Sequence, residues 1–138
     1  MRGIVPASRF TLYTLHWFHM NSRATQWITV SITTFIPWLI SLAALGASSM
    51  LPRVWFVTVH YALIVLLFGV AFAWYYAGHK GEDPFSVMGI AVLSLLVYEV
   101  VYFTFIYEGT FWFLTWVDWI VPLFLVASTI YGVGKIVR

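Results

Sequence analysis

The chain has 138 residues, of which 62% are hydrophobic and 9% charged, with a formal net charge of +2. That balance excludes a soluble domain, and seven scattered basic residues are too few for a nucleic-acid surface. The absence of cysteine removes disulfides, thiolate metal sites and thiol nucleophiles together.

Residues 1–26 place Arg9, His16, His19 and Arg23 among Phe10, Leu12, Tyr13, Trp17 and Phe18. This mixture of basic and aromatic side chains predicts a short amphipathic helix lying in the membrane interface. His16 and His19 stand three apart, a spacing that can present two imidazoles to a metal. Polar tips facing lipid headgroups account for them more simply.

Crossing a hydrocarbon layer about 30 Å thick takes roughly 20 apolar residues in a helix. Four runs meet that requirement, at residues 27–51, 54–78, 85–107 and 111–136. The first is too long for a signal-peptide core and has 26 residues before it, so it is expected to be retained as a span. Pro52 and Arg53 join the first two runs, residues 79–84 the next two, and 108–110 the last two. Such short connections predict antiparallel neighbours and an all-α, up-down-up-down integral membrane four-helix bundle of one domain, residues 27–138.

Within the runs, Pro37 and Pro122 are expected to kink the first and fourth helices, whereas Pro84 suits the first turn of the third, where no backbone donor is lost. Gly69, Ala73 and Ala77 form a small-residue row on the second helix that can admit a neighbour closely. One stripe of the first helix carries Thr34, Pro37, Ser41, Ala44 and Ser48. A stripe of the fourth carries Thr115, Asp118, Pro122, Leu125, Thr129 and Gly132. Both are expected to face inward. Trp27, Trp55, Trp74, Tyr75, Tyr76, Tyr107, Trp112 and Trp116 lie near run ends and read as interfacial anchors. Arg2, Arg9, Arg23, Lys80, Lys135 and Arg138 fall on the side of the N-terminus and Arg53 alone on the other, so both termini are expected in the cytoplasm.

Three groups that titrate between acid and neutral pH lie inside the runs: His60, Glu99 and Asp118. An intramembrane carboxylate costs on the order of 3 kcal/mol on insertion scales, so such groups face partners or water. At about 1.5 Å per residue, all three sit roughly 9–12 Å below the side opposite the termini. Tyr98, Tyr102 and Thr115 stand close enough in sequence to complete their hydrogen bonds.

A shared layer of these groups can hold a proton or bind a cation, which makes a small transporter or channel module the leading expectation. It would act as a homo-oligomer or within a larger membrane complex, because four helices enclose little space. The alternatives are an accessory subunit, with the same residues locking helices together, and an intramembrane enzyme or lipid-binding protein that uses a protonated carboxyl group. No cofactor is expected: a haem held by two histidines needs them at one depth, and His60 and His79 lie at opposite ends of the second helix.

Overall fold

The computed structural model describes the backbone of residues 8–48, 50–108 and 116–137, and the side chains of 22–47, 50–108 and 119–137. These form four helices: α1 (Ser8–Ser48), α2 (Arg53–Gly78), α3 (Pro84–Phe105) and α4 (Trp116–Val137). Each contains a stretch long and apolar enough to cross a membrane: Ser22–Ala47, Arg53–Gly78, Pro84–Phe105 and Trp119–Val137.

The helix ends follow local chemistry. Asp83 caps α3 by accepting from the Ser86 backbone N–H at 2.9 Å, and Pro84 takes the first helical position as expected. After α2, Gly81 turns the chain at φ +97°, a conformation that glycine adopts without steric cost. At the N-terminal side the structure departs from the sequence reading. Instead of a separate short helix before residue 26, α1 runs unbroken over 41 residues into the apolar stretch. Pro37 and Pro122 both lie inside uninterrupted helices.

The neighbours also differ from expectation. α1 packs on α2 and α3, and α4 packs on α2 and α3. Among the described residues α2 and α3 do not pack on each other, nor do α1 and α4. Five residues link α2 to α3 across this diagonal. Helices packed 8–10 Å apart put diagonal partners roughly 11–14 Å apart, and a five-residue link can reach about 17 Å. A short connection therefore does not enforce adjacency here.

Four hydrogen bonds fix one seam. Gln26 meets Glu82, Ser31 meets Ser94, Tyr98 donates to the Ser31 carbonyl at 2.9 Å, and Trp38 meets Glu99, so α1 and α3 pair in the same residue order. Ser94 also donates to the Ile90 carbonyl at 2.9 Å, and a hydroxyl has one proton, so Ser31 is the donor in the 2.8 Å serine pair. α3 and α4 pair in the opposite order, with Pro84 beside Gly134 and Phe103 beside Trp119.

The core gathers Val30, Phe68, Phe72, Tyr75, Tyr76, Val87, Ile90, Ala91, Val126 and Ile130. Tyr75 and Tyr76, read as interfacial anchors, are buried; Trp27, Trp55 and Trp74 are exposed. The inward face of α1 holds Thr34, Pro37 and Ser41, as its stripe implied. In α4 the buried face is Val126, Ile130 and Gly134, with Leu125, Thr129 and Gly132 only half-buried beside it. The tightest approach lies at Gly134, where an added Cβ would stand 2.6 Å from the Tyr76 ring and 2.8 Å from Pro84. At Gly69, in the predicted small-residue row, a Cβ would meet only Thr129 at an ordinary 3.7 Å.

Candidate functional site

A cavity of about 300 Å³ opens in one half of the molecule. Its walls come from the later part of α1 (Trp38 to Gly46), the early part of α2 (Phe56 to Phe68), the later part of α3 and the segment beyond it (Leu95 to Tyr107), and the early part of α4 (Trp119 to Val126). Sequence reasoning expected four helices to enclose little space. Aromatic rings line this half (Trp38, Phe56, Phe68, Tyr102, Phe103, Tyr107, Trp119), whereas the opposite half closes tightly on Gly134.

Glu99 lines this cavity. Its Oε1 accepts a hydrogen bond from Trp38 Nε1 at 3.0 Å. Indole can only donate and a carboxylate can only accept, so the pairing is chemically unambiguous. Trp38 is in turn braced by rings: Phe35 at 5.6 Å, Tyr98 at 5.4 Å and Tyr102 edge-on at 6.2 Å between centroids. Trp38 is the one hydrogen-bond partner of Glu99 among the described residues, and it engages only one of the two carboxylate oxygens.

His60 lines the same cavity from α2, stacked on Phe56 at 6.4 Å and tilted against Tyr61 at 6.1 Å. It comes from the helix diagonal to that of Glu99. The shared depth of Glu99 and His60 leads to a shared cavity, while the hydrogen bond of the carboxylate goes to Trp38 of α1. Sequence gives depth along a helix, whereas pairing depends on the direction in which each residue faces. Among the described residues no three His, Asp or Glu side chains gather, so the predicted layer does not form a metal-type cluster there.

The remaining candidates separate. Tyr102 lines the cavity wall. Tyr98 does not: its hydroxyl is committed to the Ser31 carbonyl and its ring is edge-on to Phe35 at 5.3 Å, so it fastens α1 to α3. Asp118 lies in α4, but its side chain is outside the described residues, as are those of His16 and His19 in α1; Thr115 lies outside them altogether.

Ser41 is the residue whose role sequence reasoning missed. It lines the cavity, is 6% exposed, and its Oγ has no hydrogen-bond partner among the described residues. Thr29, Thr33, Thr34, Thr58 and Ser94 each return their hydroxyl to the carbonyl four residues earlier, the usual way for a helix in an apolar medium to satisfy one. Ser41 is placed on the inward stripe by its spacing, but spacing alone cannot show a hydroxyl without a partner.

A second polar group closes the opposite half. Glu82 Oε2 accepts from the Tyr75 hydroxyl at 2.5 Å and from Gln26 Nε2 at 3.0 Å. His79 stacks flat on Tyr75 at 4.4 Å, and its Nδ1 meets the Tyr75 carbonyl at 2.9 Å. This clasp joins α1, the end of α2 and the turn before α3, and its carboxylate already has two donors. Compared with family models, curated proteins and solved structures, the chain finds no match.

Proposed function

We propose that this chain is a small integral membrane transport module that takes a proton or cation into a half-membrane cavity, with Glu99 as the group that binds it. The observation that carries this reading is the position of Glu99: a carboxylate on the cavity wall with one oxygen held by Trp38, its one hydrogen-bond partner among the described residues. An intramembrane carboxylate is costly unless something compensates it, and a bound cation or proton does so. His60 and, on α4, Asp118 are the secondary acid–base groups of the pathway.

In this reading the four helices cross the bilayer in alternation, up-down-up-down, with both termini cytoplasmic. Exposed Leu66, Val70, Val97 and Phe124 support a lipid-facing surface around mid-helix. The basic bias puts the Gln26–Tyr75–Glu82 clasp at the cytoplasmic end and the cavity on the Arg53 side. Passage across the whole membrane also needs a route through the packed half, which a homo-oligomer or a larger complex supplies.

The test is reconstitution of wild type and Glu99→Gln in liposomes, with proton, sodium and potassium flux followed separately. Gln keeps the shape and one acceptor but loses the charge. Flux from wild type that is abolished in a folded Glu99→Gln supports the proposal. No flux from the folded wild type moves the function to that of an accessory subunit, in which the Trp38–Glu99 bond serves only to lock α1 to α3.

A further inference from the structure

We infer that the cavity's ligand is a protonated organic amine with a compact apolar body, rather than an inorganic ion; this rests on Glu99 being the ion-binding group. Size is the first argument. An apolar protein cavity of about 150 Å³ takes up benzene, and this one, at about 300 Å³, has room for a molecule of about two rings. It falls at the lower bound of ligand pockets, which run from roughly 300 to 1,000 Å³.

The wall is the second. Trp38, Phe56, Tyr102, Phe103, Tyr107 and Trp119 all line it. Aromatic faces attract a cation through the ring quadrupole and pack against an apolar body at the same time. An inorganic cation needs several oxygen ligands at short range, and among the described lining residues Glu99 is the sole carboxylate. No lysine or arginine lies among those lining residues, so nothing there recommends an anion.

Ser41 is the third. Ser41 and Glu99 both line the cavity, and each keeps acceptor capacity: the shielded Ser41 Oγ has no hydrogen-bond partner among the described residues, and Trp38 holds only Oε1 of Glu99, so an ammonium drawn in between them has two acceptors to bond. A protonated primary amine, with three N–H donors, can use both acceptors; a quaternary ammonium can use only charge and ring contact. His60, the one imidazole among the described lining residues, stands across the cavity on α2, stacked on Phe56.

The experiment is ligand binding to the full chain in lipid nanodiscs, read by tryptophan fluorescence and calorimetry. The probes are phenethylamine, its trimethylammonium analogue, 2-phenylethanol and potassium chloride. Saturable binding is expected for phenethylamine, weaker binding for the quaternary analogue, and none for potassium. Glu99→Gln should weaken the amine by at least about tenfold, the worth of one charge-assisted hydrogen bond. Ser41→Ala should weaken phenethylamine but leave the quaternary analogue unchanged.

Gly46→Trp guards against a folding failure. Gly46 is an exposed residue of the cavity wall and a Cβ there has nothing within 4 Å, so the backbone accepts a side chain at that point, and the added bulk should weaken amine binding in a protein that keeps its melting temperature. Equal binding of amine and alcohol, or amine binding indifferent to Glu99→Gln, overturns the inference. Proton or potassium flux that needs Glu99, without amine binding, overturns it while leaving the transport reading intact. Amine binding without any flux does the reverse.

Discussion

The two halves of the molecule handle the same problem, polar groups among apolar helices, in opposite ways. In the half containing Gly134, the helices close until an extra Cβ would collide with Tyr76 and Pro84, and the carboxylate there, Glu82, accepts from both Tyr75 and Gln26. In the half containing Glu99, the helices stand around a cavity of about 300 Å³, and among the described residues the carboxylate has Trp38 alone and Ser41 Oγ has no partner. A polar group whose neighbours saturate it holds a fold together. One left with spare bonding capacity beside open volume is disposed to meet a ligand.

Packing substitutions should break the comparison most visibly. Phe72 is fully buried in the closed half, and Phe72→Ala should cost about 3 kcal/mol in unfolding measured in detergent, since deletion leaves a hole that tight packing cannot collapse. Leu96→Ala, on the cavity wall, should cost less than about half of that because its neighbours already border a void. Equal losses would mean that the two halves are packed alike.

A finer contrast uses two glycines of one helix. Gly134→Ala should destabilise by about 1–3 kcal/mol through overpacking. Gly132→Ala has open space for its Cβ and should be neutral or stabilising by up to about 1 kcal/mol, the helix-propensity gain. Thermal melts of the two single variants decide it; a harmless Gly134→Ala would show that α4 is not held where Tyr76 and Pro84 meet it.

The smallest expected effects compare two serines on α1. Ser31→Ala removes a donor to Ser94 and should cost about 0.6 kcal/mol, the mean for interhelical hydrogen bonds in membranes. Ser41→Ala removes a hydroxyl without a partner and should leave the melting temperature unchanged. A larger loss at Ser41 than at Ser31 would assign Ser41 a structural bond.

Much of this fold is legible in the sequence because hydropathy and length mark helices directly. The second helix begins and ends within one residue of its predicted limits, Pro84 sits where its missing N–H is harmless, and the inward stripe of α1 is right at Thr34, Pro37 and Ser41. The site is legible only in part. Glu99, His60 and Tyr102 do line one cavity, since titratable residues in apolar runs declare themselves by their cost. Tyr98 belongs to the α1–α3 seam instead, and Trp38 as the partner of Glu99 was not foreseen. Both depend on α3 packing against α1 rather than α2, a choice between neighbours separated by about sixty residues that no local pattern encodes. The cavity depends on how four rotated helices meet, which depth arithmetic along each helix cannot supply.

The central claim is that the half carrying Ser41 and Glu99 admits small molecules whereas the rest of the interior does not. Ser41 and Ser94 are comparably shielded, 6% and 8% exposed, but Ser41 lines the cavity and Ser94 lies in the α1–α3 seam. The natural chain has no cysteine, so a single Ser41→Cys or Ser94→Cys supplies the only thiol. The decisive measurement is the rate at which a small, membrane-impermeant cationic thiol reagent, applied to oriented membranes from the Arg53 side, modifies each variant. The account predicts that Ser41→Cys reacts and Ser94→Cys stays protected; equal rates, or reaction of Ser41→Cys only from the Lys80 side, would contradict it.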